Sequence, residues 1–142
     1  MKTIILFFLG LILISCGEDS PSENQAKEDI SEIISTGTSE KVTLIELEKT
    51  DGLKKSEDGT DLYIMDIKGK IKFLKETYSE INVPFSVSDR IAGFLEVKDK
   101  KPIYSNYELI KENSIYKIKG AVEYIKKEKG WKIKNLKLKI VE

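Results

Sequence analysis

The chain has 142 residues, which suits one small domain, and its 24 basic and 24 acidic residues cancel. Arg90 is the only arginine, so a nucleic-acid-binding role is disfavoured, because phosphate recognition usually relies on the guanidinium. The chain has no histidine and one cysteine, which excludes histidine-dependent triads and any internal disulfide. No phosphate-binding glycine loop or calcium-loop motif occurs. We therefore expect no cofactor and no metal.

The N-terminus has the features of an export signal. Lys2 is followed by an apolar run from Ile4 to Ile14, which is too short to span a bilayer. The next feature, Leu13-Ile14-Ser15-Cys16, resembles the lipobox of bacterial lipoproteins. That resemblance implies cleavage before Cys16 and lipid on its thiol, so that the membrane becomes a partner through the lipid. The alternative is an ordinary signal peptide, over 1–15, with a chance cysteine after it.

The residues after the cysteine bear on location. Gly17 in place of aspartate favours the outer membrane, and Glu18 and Asp19 resemble the surface-export signal of Bacteroidetes lipoproteins. We expect an envelope protein that faces the periplasm or the exterior. Residues 17–40 hold seven acids and one lysine, whereas residues 101–142 hold eleven lysines and five acids. The first segment reads as an acidic tether over 16–40, followed by a domain over 41–142.

A short helix is predicted within the tether, over 21–35. Its apolar residues fall on one helical face: Ala26, Ile30, Ile33 and Ile34. Ser20 is the expected N-cap, Pro21 the first helical residue and Glu23 the capping-box acid, with Gly37 ending the helix. The pattern leaves open whether this helix packs on the domain or frays.

Two strands are predicted next, over 41–49 and 61–75, the second with clear alternation of apolar and charged residues. Asp51-Gly52 and Asp58-Gly59 predict a loop over 50–60. In the following segment, Pro84 indicates extended chain, and 88–97 is predicted as a short helix capped by Ser88. We expect four apolar residues beyond it to cover an edge of the core: Tyr104, Tyr107, Leu109 and Ile110.

The last third predicts a hairpin whose turn lies at 126–130. Apolar residues occupy odd positions at Trp131 and Ile133, then even positions from Leu136, which predicts a β-bulge at Asn135-Leu136. Gly69 and Gly120 each lie in mid-strand, where glycine indicates a bend or a close backbone approach. If their strands are neighbours, the two glycines are expected to align.

Together these elements predict an α+β fold: a curved antiparallel sheet of about four strands packed on a short N-terminal helix. The pattern resembles the cystatin-like and NTF2-like sheets of small exported bacterial proteins. EKTDG at 48–52 and IKG…EKGWK at 118–132 also resemble uncharacterised bacterial proteins. The resemblance implies a fold and no activity.

Alternation places many lysines on one side of the sheet. They are Lys68, Lys70, Lys72, Lys117, Lys119, Lys132 and Lys134. Such a face suits a polyanion such as lipid-A phosphates or acidic glycans, or it is simply the solvated side of an antiparallel sheet. Asp66 interrupts the face, and if it lies opposite Lys117 or Lys119 it is simply a salt-bridge partner. We take Lys68, Lys70, Lys117, Lys119 and Lys132, with Trp131, as the candidate ligand or partner surface.

Two further sets of residues carry alternatives. Five aromatic residues either pack in the core or line a cavity, with Trp131 half exposed at its rim: Tyr63, Phe73, Tyr116, Tyr124 and Trp131. Four carboxylates either pair with lysines or converge as a glycosidase-like site: Glu46, Glu48, Asp61 and Asp66. The favoured function is a non-enzymatic binding module for an envelope protein or an anionic glycan. The alternatives are an inhibitor or structural envelope protein and, third, a carboxylate hydrolase.

Overall fold

The computed structural model describes residues 19–81, 84–88, 98–101, 103 and 107–141, with backbone only for 84–88. It contains one helix and seven strands within these ranges. They are α1 (Glu23–Gly37), β1 (Val42–Glu57), β2 (Thr60–Phe73), β3 (Thr77–Glu80), β4 (Pro84–Ser88), β5 (Tyr107–Ile110), β6 (Ile115–Lys127) and β7 (Gly130–Val141). The predicted α+β class is confirmed.

The main sheet is antiparallel, in the order β1-β2-β6-β7-β4, and it does not close into a barrel. Its four long strands are the four that alternation predicted. The short edge strand β4 places Pro84 at a sheet edge, where a missing N–H is tolerated. A separate two-stranded sheet, β3 with β5, was not predicted.

Helix α1 packs on the sheet and does not fray. Ala26 and Ile30 are fully buried and Ile34 nearly so, and all three belong to the main hydrophobic core. The N-cap is Ser22, two residues later than expected, and its hydroxyl accepts the N–H of Gln25 at 3.0 Å. The folded unit therefore includes this part of the acidic segment.

The predicted loop over 50–60 is wrong, because β1 continues to Glu57. The hairpin turns at Asp58 and Gly59, which both have positive φ, as a type I′ turn requires. Asp51 and Gly52 instead follow a register shift after Lys49. A β-carbon at Gly52 would overlap the hydroxyl of Tyr63, so this glycine serves packing and not a turn.

The C-terminal hairpin is confirmed, with β6 ending at Lys127 and β7 beginning at Gly130. Its bulge is also present, one residue earlier than expected. Glu123 pairs with Asn135 and Tyr124 with Ile133, which leaves Lys134 as the extra residue. This residue moves the apolar positions of β7 from odd to even numbers while they stay on the core side.

The mid-strand glycines permit close approach, as expected, but they are not aligned. Gly69 pairs with Ile118 and Gly120 with Ile67, so the glycines are offset by two residues across β2 and β6. A β-carbon at Gly69 would overlap the carbonyl oxygen of Glu46, and one at Gly120 that of Lys137. Gly69 therefore lets β2 approach β1 closely, and Gly120 lets β6 approach β7 closely.

The remaining segment is partly described. Ser88 ends β4, and the rest of the predicted helix over 88–97 lies outside the described residues, as does Tyr104. Ile110 is 1% exposed and contributes to the core as expected, whereas Leu109 is 49% exposed and does not. Tyr107 lies in β5 beside β3.

Candidate functional site

The main sheet has two unlike faces. Its inner face carries the hydrophobic core and α1. We call the opposite side the outer face. It carries the alternate residues of each strand, because successive side chains in a strand point to opposite sides. The lysines predicted from alternation lie there, so the outer face is where the candidate surface is to be sought.

Three cross-strand rows run over the middle of the outer face. In the first, Lys70 of β2 lies opposite Lys117 of β6, which in turn pairs with Val141. In the second, Lys119 lies between Lys68 and Lys139. In the third, Ala121 lies between Asp66 and Lys137. Neighbouring strands are about 4.8 Å apart, so these six lysines form one array, which we call the lysine array.

Two members of the array are paired with carboxylates at the β1 side. Nζ of Lys70 lies 2.8 Å from Oε2 of Glu46, and Nζ of Lys68 lies 3.2 Å from Oε1 of Glu48. All four side chains are about half exposed, so each ion pair contributes little to stability. The other four lysines have no carboxylate within ion-pair distance among the described residues: Lys117, Lys119, Lys137 and Lys139.

The four candidate carboxylates do not converge. Glu46 and Glu48 pair with lysines, as the charge-pairing alternative expected. Asp66 lies opposite Asp51 and Ala121, so it is not the cross-strand partner of Lys117 or Lys119. Asp61 lies five residues further along β2, opposite Ser56. No pair of these acids shares a row of the sheet.

Lys132 and Trp131 lie away from the lysine array. Lys132 pairs with Ile125 on the far side of the Lys134 bulge. Trp131 packs in the core and is 4% exposed, so the alternative that placed it half exposed at a cavity rim is wrong. Its indole packs edge-on against Tyr63, with 6.2 Å between ring centroids, and Nζ of Lys126 lies 5.4 Å from the ring centroid.

The aromatic residues fill the inner face. Tyr116 is partly buried and packs against the core. The other four are buried members of the core: Tyr63, Phe73, Tyr124 and Trp131. Phe73 and Tyr116 meet edge-on at 5.7 Å. The core-packing alternative is therefore the one that the structure has.

One buried hydroxyl ties the sheet to the helix. The Tyr124 hydroxyl donates to Oδ2 of Asp29 in α1 at 3.1 Å. Burial of the phenol, followed by the nearby charge of Asp29, raises the pKa of Tyr124 far above its usual range. This contact is structural, because Tyr124 is fully buried and Asp29 belongs to the helix that covers it.

Sequence reasoning missed two members of the lysine array, Lys137 and Lys139. The sequence contained the information needed to find them. Before the predicted bulge the outward residues of β7 have even numbers, as Lys132 and Lys134 do, and after it they have odd numbers. Carrying that phase change through to the end of β7 would have found both residues. Lys134 itself is the bulged residue, and it pairs with Glu123 at 3.1 Å.

Within the described residues, no three of the histidine, cysteine, aspartate and glutamate side chains are grouped so that they could hold a metal ion. The one helix in that part of the chain is not long and apolar enough to cross a membrane. Comparisons with protein-family models, curated proteins and solved structures found no match to this chain. The candidate surface is therefore argued from its own chemistry.

Proposed function

We propose that the chain is a lipid-anchored protein of the bacterial cell envelope, and that it acts as a non-enzymatic binding module. The anchor is Cys16, on the evidence of the lipobox-like Leu13-Ile14-Ser15-Cys16. The binding surface is the outer face. The observation that carries this assignment is the lysine array, in which four lysines have no carboxylate partner among the described residues and are available to an anionic partner.

The positions of the aromatic, carboxylate and lysine side chains favour binding over catalysis. On the inner face, α1 and the aromatic side chains pack together in the hydrophobic core. The four carboxylates predicted as a hydrolase site lie in separate rows, and two of them are ion-paired. Lysine ammonium groups attract anions without stereospecific geometry, which suits adhesion to a charged envelope component.

The anchoring half of the proposal is tested by Cys16→Ser. Without the thiol no lipid can be attached, so the variant should leave the membrane fraction or accumulate unprocessed. Ser20→Ala, just beyond the cysteine, is the matched control and should fractionate as the unmodified protein does. A Cys16→Ser protein that is processed normally and remains in membranes would contradict lipid anchoring.

A second candidate, an inhibitor or structural protein, is favoured by the end of the β1–β2 hairpin. Residues 50–59 are all exposed, and Leu53 has 55% of its surface accessible, so this hairpin offers an apolar contact for another protein. A photo-crosslinker placed at position 53 in intact cells would capture such a partner, and one at position 119 would not. Capture only from position 119 would contradict the hairpin role.

A further inference from the structure

Charge is segregated across the sheet. Beyond its first turn, helix α1 on the inner side carries three acids against the single base Lys27: Glu28, Asp29 and Glu32. Glu23, at the start of the helix, instead borders the groove of the lysine array. The lysine array lies on the outer side, and in its three rows six lysines outnumber four acids, Glu46, Glu48, Asp51 and Asp66. A molecule with this separation turns its outer face toward a negatively charged surface, because the surface attracts one side and repels the other.

The array keeps like charges directly opposite each other. Lys119 has a lysine on both sides in its row, and Lys117 lies opposite Lys70. Such pairs are destabilising when nothing neutralises them. Glu46 and Glu48 neutralise only the β2 members of the array. The lysines of β6 and β7 therefore match a partner that supplies the missing negative charge.

The composition of the array indicates what kind of partner fits. In β2, β6 and β7 the three rows contain only lysine, aspartate, alanine and valine. Those rows offer no aromatic ring on which a sugar can stack and no amide or hydroxyl to read its hydroxyl groups. Flexible point charges suit a diffuse anionic surface better than a ligand of fixed stereochemistry.

The position of the helix start places the array near the proposed anchor. Glu23 begins α1, and its carboxylate accepts the backbone N–H of Lys49 in β1 at 2.8 Å. Glu23 also borders the open groove that contains Lys68, Lys70, Lys117 and Lys119. Six residues lie between Cys16 and Glu23, so the two are at most about 25 Å apart. Within this segment, Oδ1 of Asp19 lies 3.4 Å from Nζ of Lys54 in β1. A lipid on Cys16 would thus be attached beside β1, the strand whose Glu46 and Glu48 border the array.

We propose that the outer face lies against the phosphate headgroups of anionic lipids in the membrane that carries the protein's own lipid. This assignment rests on the proposed lipidation of Cys16. A basic patch beside an acyl anchor supplies a second membrane signal and fixes the orientation of the domain. The acidic helix then faces away from the bilayer.

The test is lysine footprinting of the processed lipoprotein after reconstitution. Vesicles of phosphatidylcholine are compared with vesicles of equal parts phosphatidylcholine and phosphatidylglycerol, and an amine-reactive reagent labels each lysine. The four unpaired array lysines should react at least about fivefold more slowly on the anionic vesicles, the factor expected for one lysine at such a surface. Lys127 and Lys129, at the β6–β7 turn, should react equally on both, and high salt should remove the protection.

Matched double variants separate the array from net charge. Lys119→Glu with Lys139→Glu should abolish the protection of Lys117 and Lys137. Lys127→Glu with Lys129→Glu changes the net charge equally and should preserve it. Equal labelling of Lys117 and Lys137 on both kinds of vesicle would overturn the proposal.

A further arm replaces the vesicles with dissolved alginate, an acidic glycan. Protection by alginate without protection on anionic vesicles would assign the face to a glycan and overturn the membrane assignment. The intact mass of the same preparation reports acylation of Cys16 separately. A missing lipid would therefore contradict the anchoring proposal, whereas acylated protein with unprotected lysines contradicts only the assignment of the outer face.

Discussion

At the scale of single residues, the contact between Tyr124 and Asp29 has a consequence for stability at high pH. The pKa of Tyr124 is raised in the folded state, whereas in the unfolded chain it is about 10. Between these values the folded state holds a proton that the unfolded state loses. The contribution of Tyr124 to the free energy of unfolding is therefore fully present below about pH 10 and is progressively lost as the pH rises above that value.

Tyr124→Phe tests this linkage. At neutral pH the variant should lose about 0.5–1.5 kcal/mol, the typical net value of one hydrogen bond. Above about pH 10, the free energy of unfolding of the unmodified protein should fall more steeply than that of the variant, by about 1.4 kcal/mol per pH unit. Urea unfolding across this range measures both slopes, and the other tyrosines and lysines are common to both proteins. Parallel slopes would show that Tyr124 ionises equally in both states.

Gly120→Ala tests the close approach of β6 and β7. The added β-carbon would overlap the carbonyl oxygen of Lys137, which is backbone and cannot move aside cheaply. We expect a loss of about 1–3 kcal/mol in the free energy of unfolding, typical of overpacking. Ala121→Ser, at the next residue, is the control and should change stability little. A loss no larger than that of the control would contradict a steric role for Gly120.

The wrong prediction of a loop over 50–60 has an explanation in one long-range contact. Asp51-Gly52 and Asp58-Gly59 are the same dipeptide, yet only the second is a turn. The difference lies in a long-range contact, because Gly52 makes room for the Tyr63 hydroxyl on the paired strand. No local pattern at Asp51 reveals that neighbour, whereas the positive φ of Asp58 and Gly59 is a local requirement of a tight hairpin.

At the scale of elements, α1 decides whether the sheet has a covered face. Ile30 is fully buried between the helix and the sheet, so Ile30→Ala should cost about 2–5 kcal/mol. Glu32→Ala, an exposed position on the same helix, should change stability by at most about 0.5 kcal/mol. Chemical unfolding monitored by circular dichroism measures both. Equal small effects would mean that α1 does not pack on the sheet in solution.

The helix and the long strands could be predicted because the spacing of their apolar residues indicates both the type of element and the side that is buried. The helix and the four long strands follow from spacings of 3.6 and 2, and the Lys134 bulge follows from a change of phase. The small β3–β5 sheet was not predicted, because strands of four residues carry too little alternation to be recognised. Leu109, in β5, was expected to cover an edge of the core and is instead 49% exposed.

At the scale of the whole molecule, the separation of charge could be seen in the sequence, but its direction could not. The acidic segment and the lysine-rich end are plain from residue counts. That they lie on opposite sides of one sheet depends on where α1 packs, which the pattern left open. The lysine array likewise needed the register of β6 and β7, which brings Lys119 beside Lys139.

We propose that lipid at Cys16 holds the chain on a membrane. The most direct measurement is the intact mass of the protein extracted from bacterial membranes, with sequencing of its N-terminal peptide. We predict a chain that begins at Cys16 and carries the added mass of a diacylglyceryl group, with or without a further acyl chain on its amine. A chain that begins elsewhere, or a Cys16 with a free thiol, would contradict the claim.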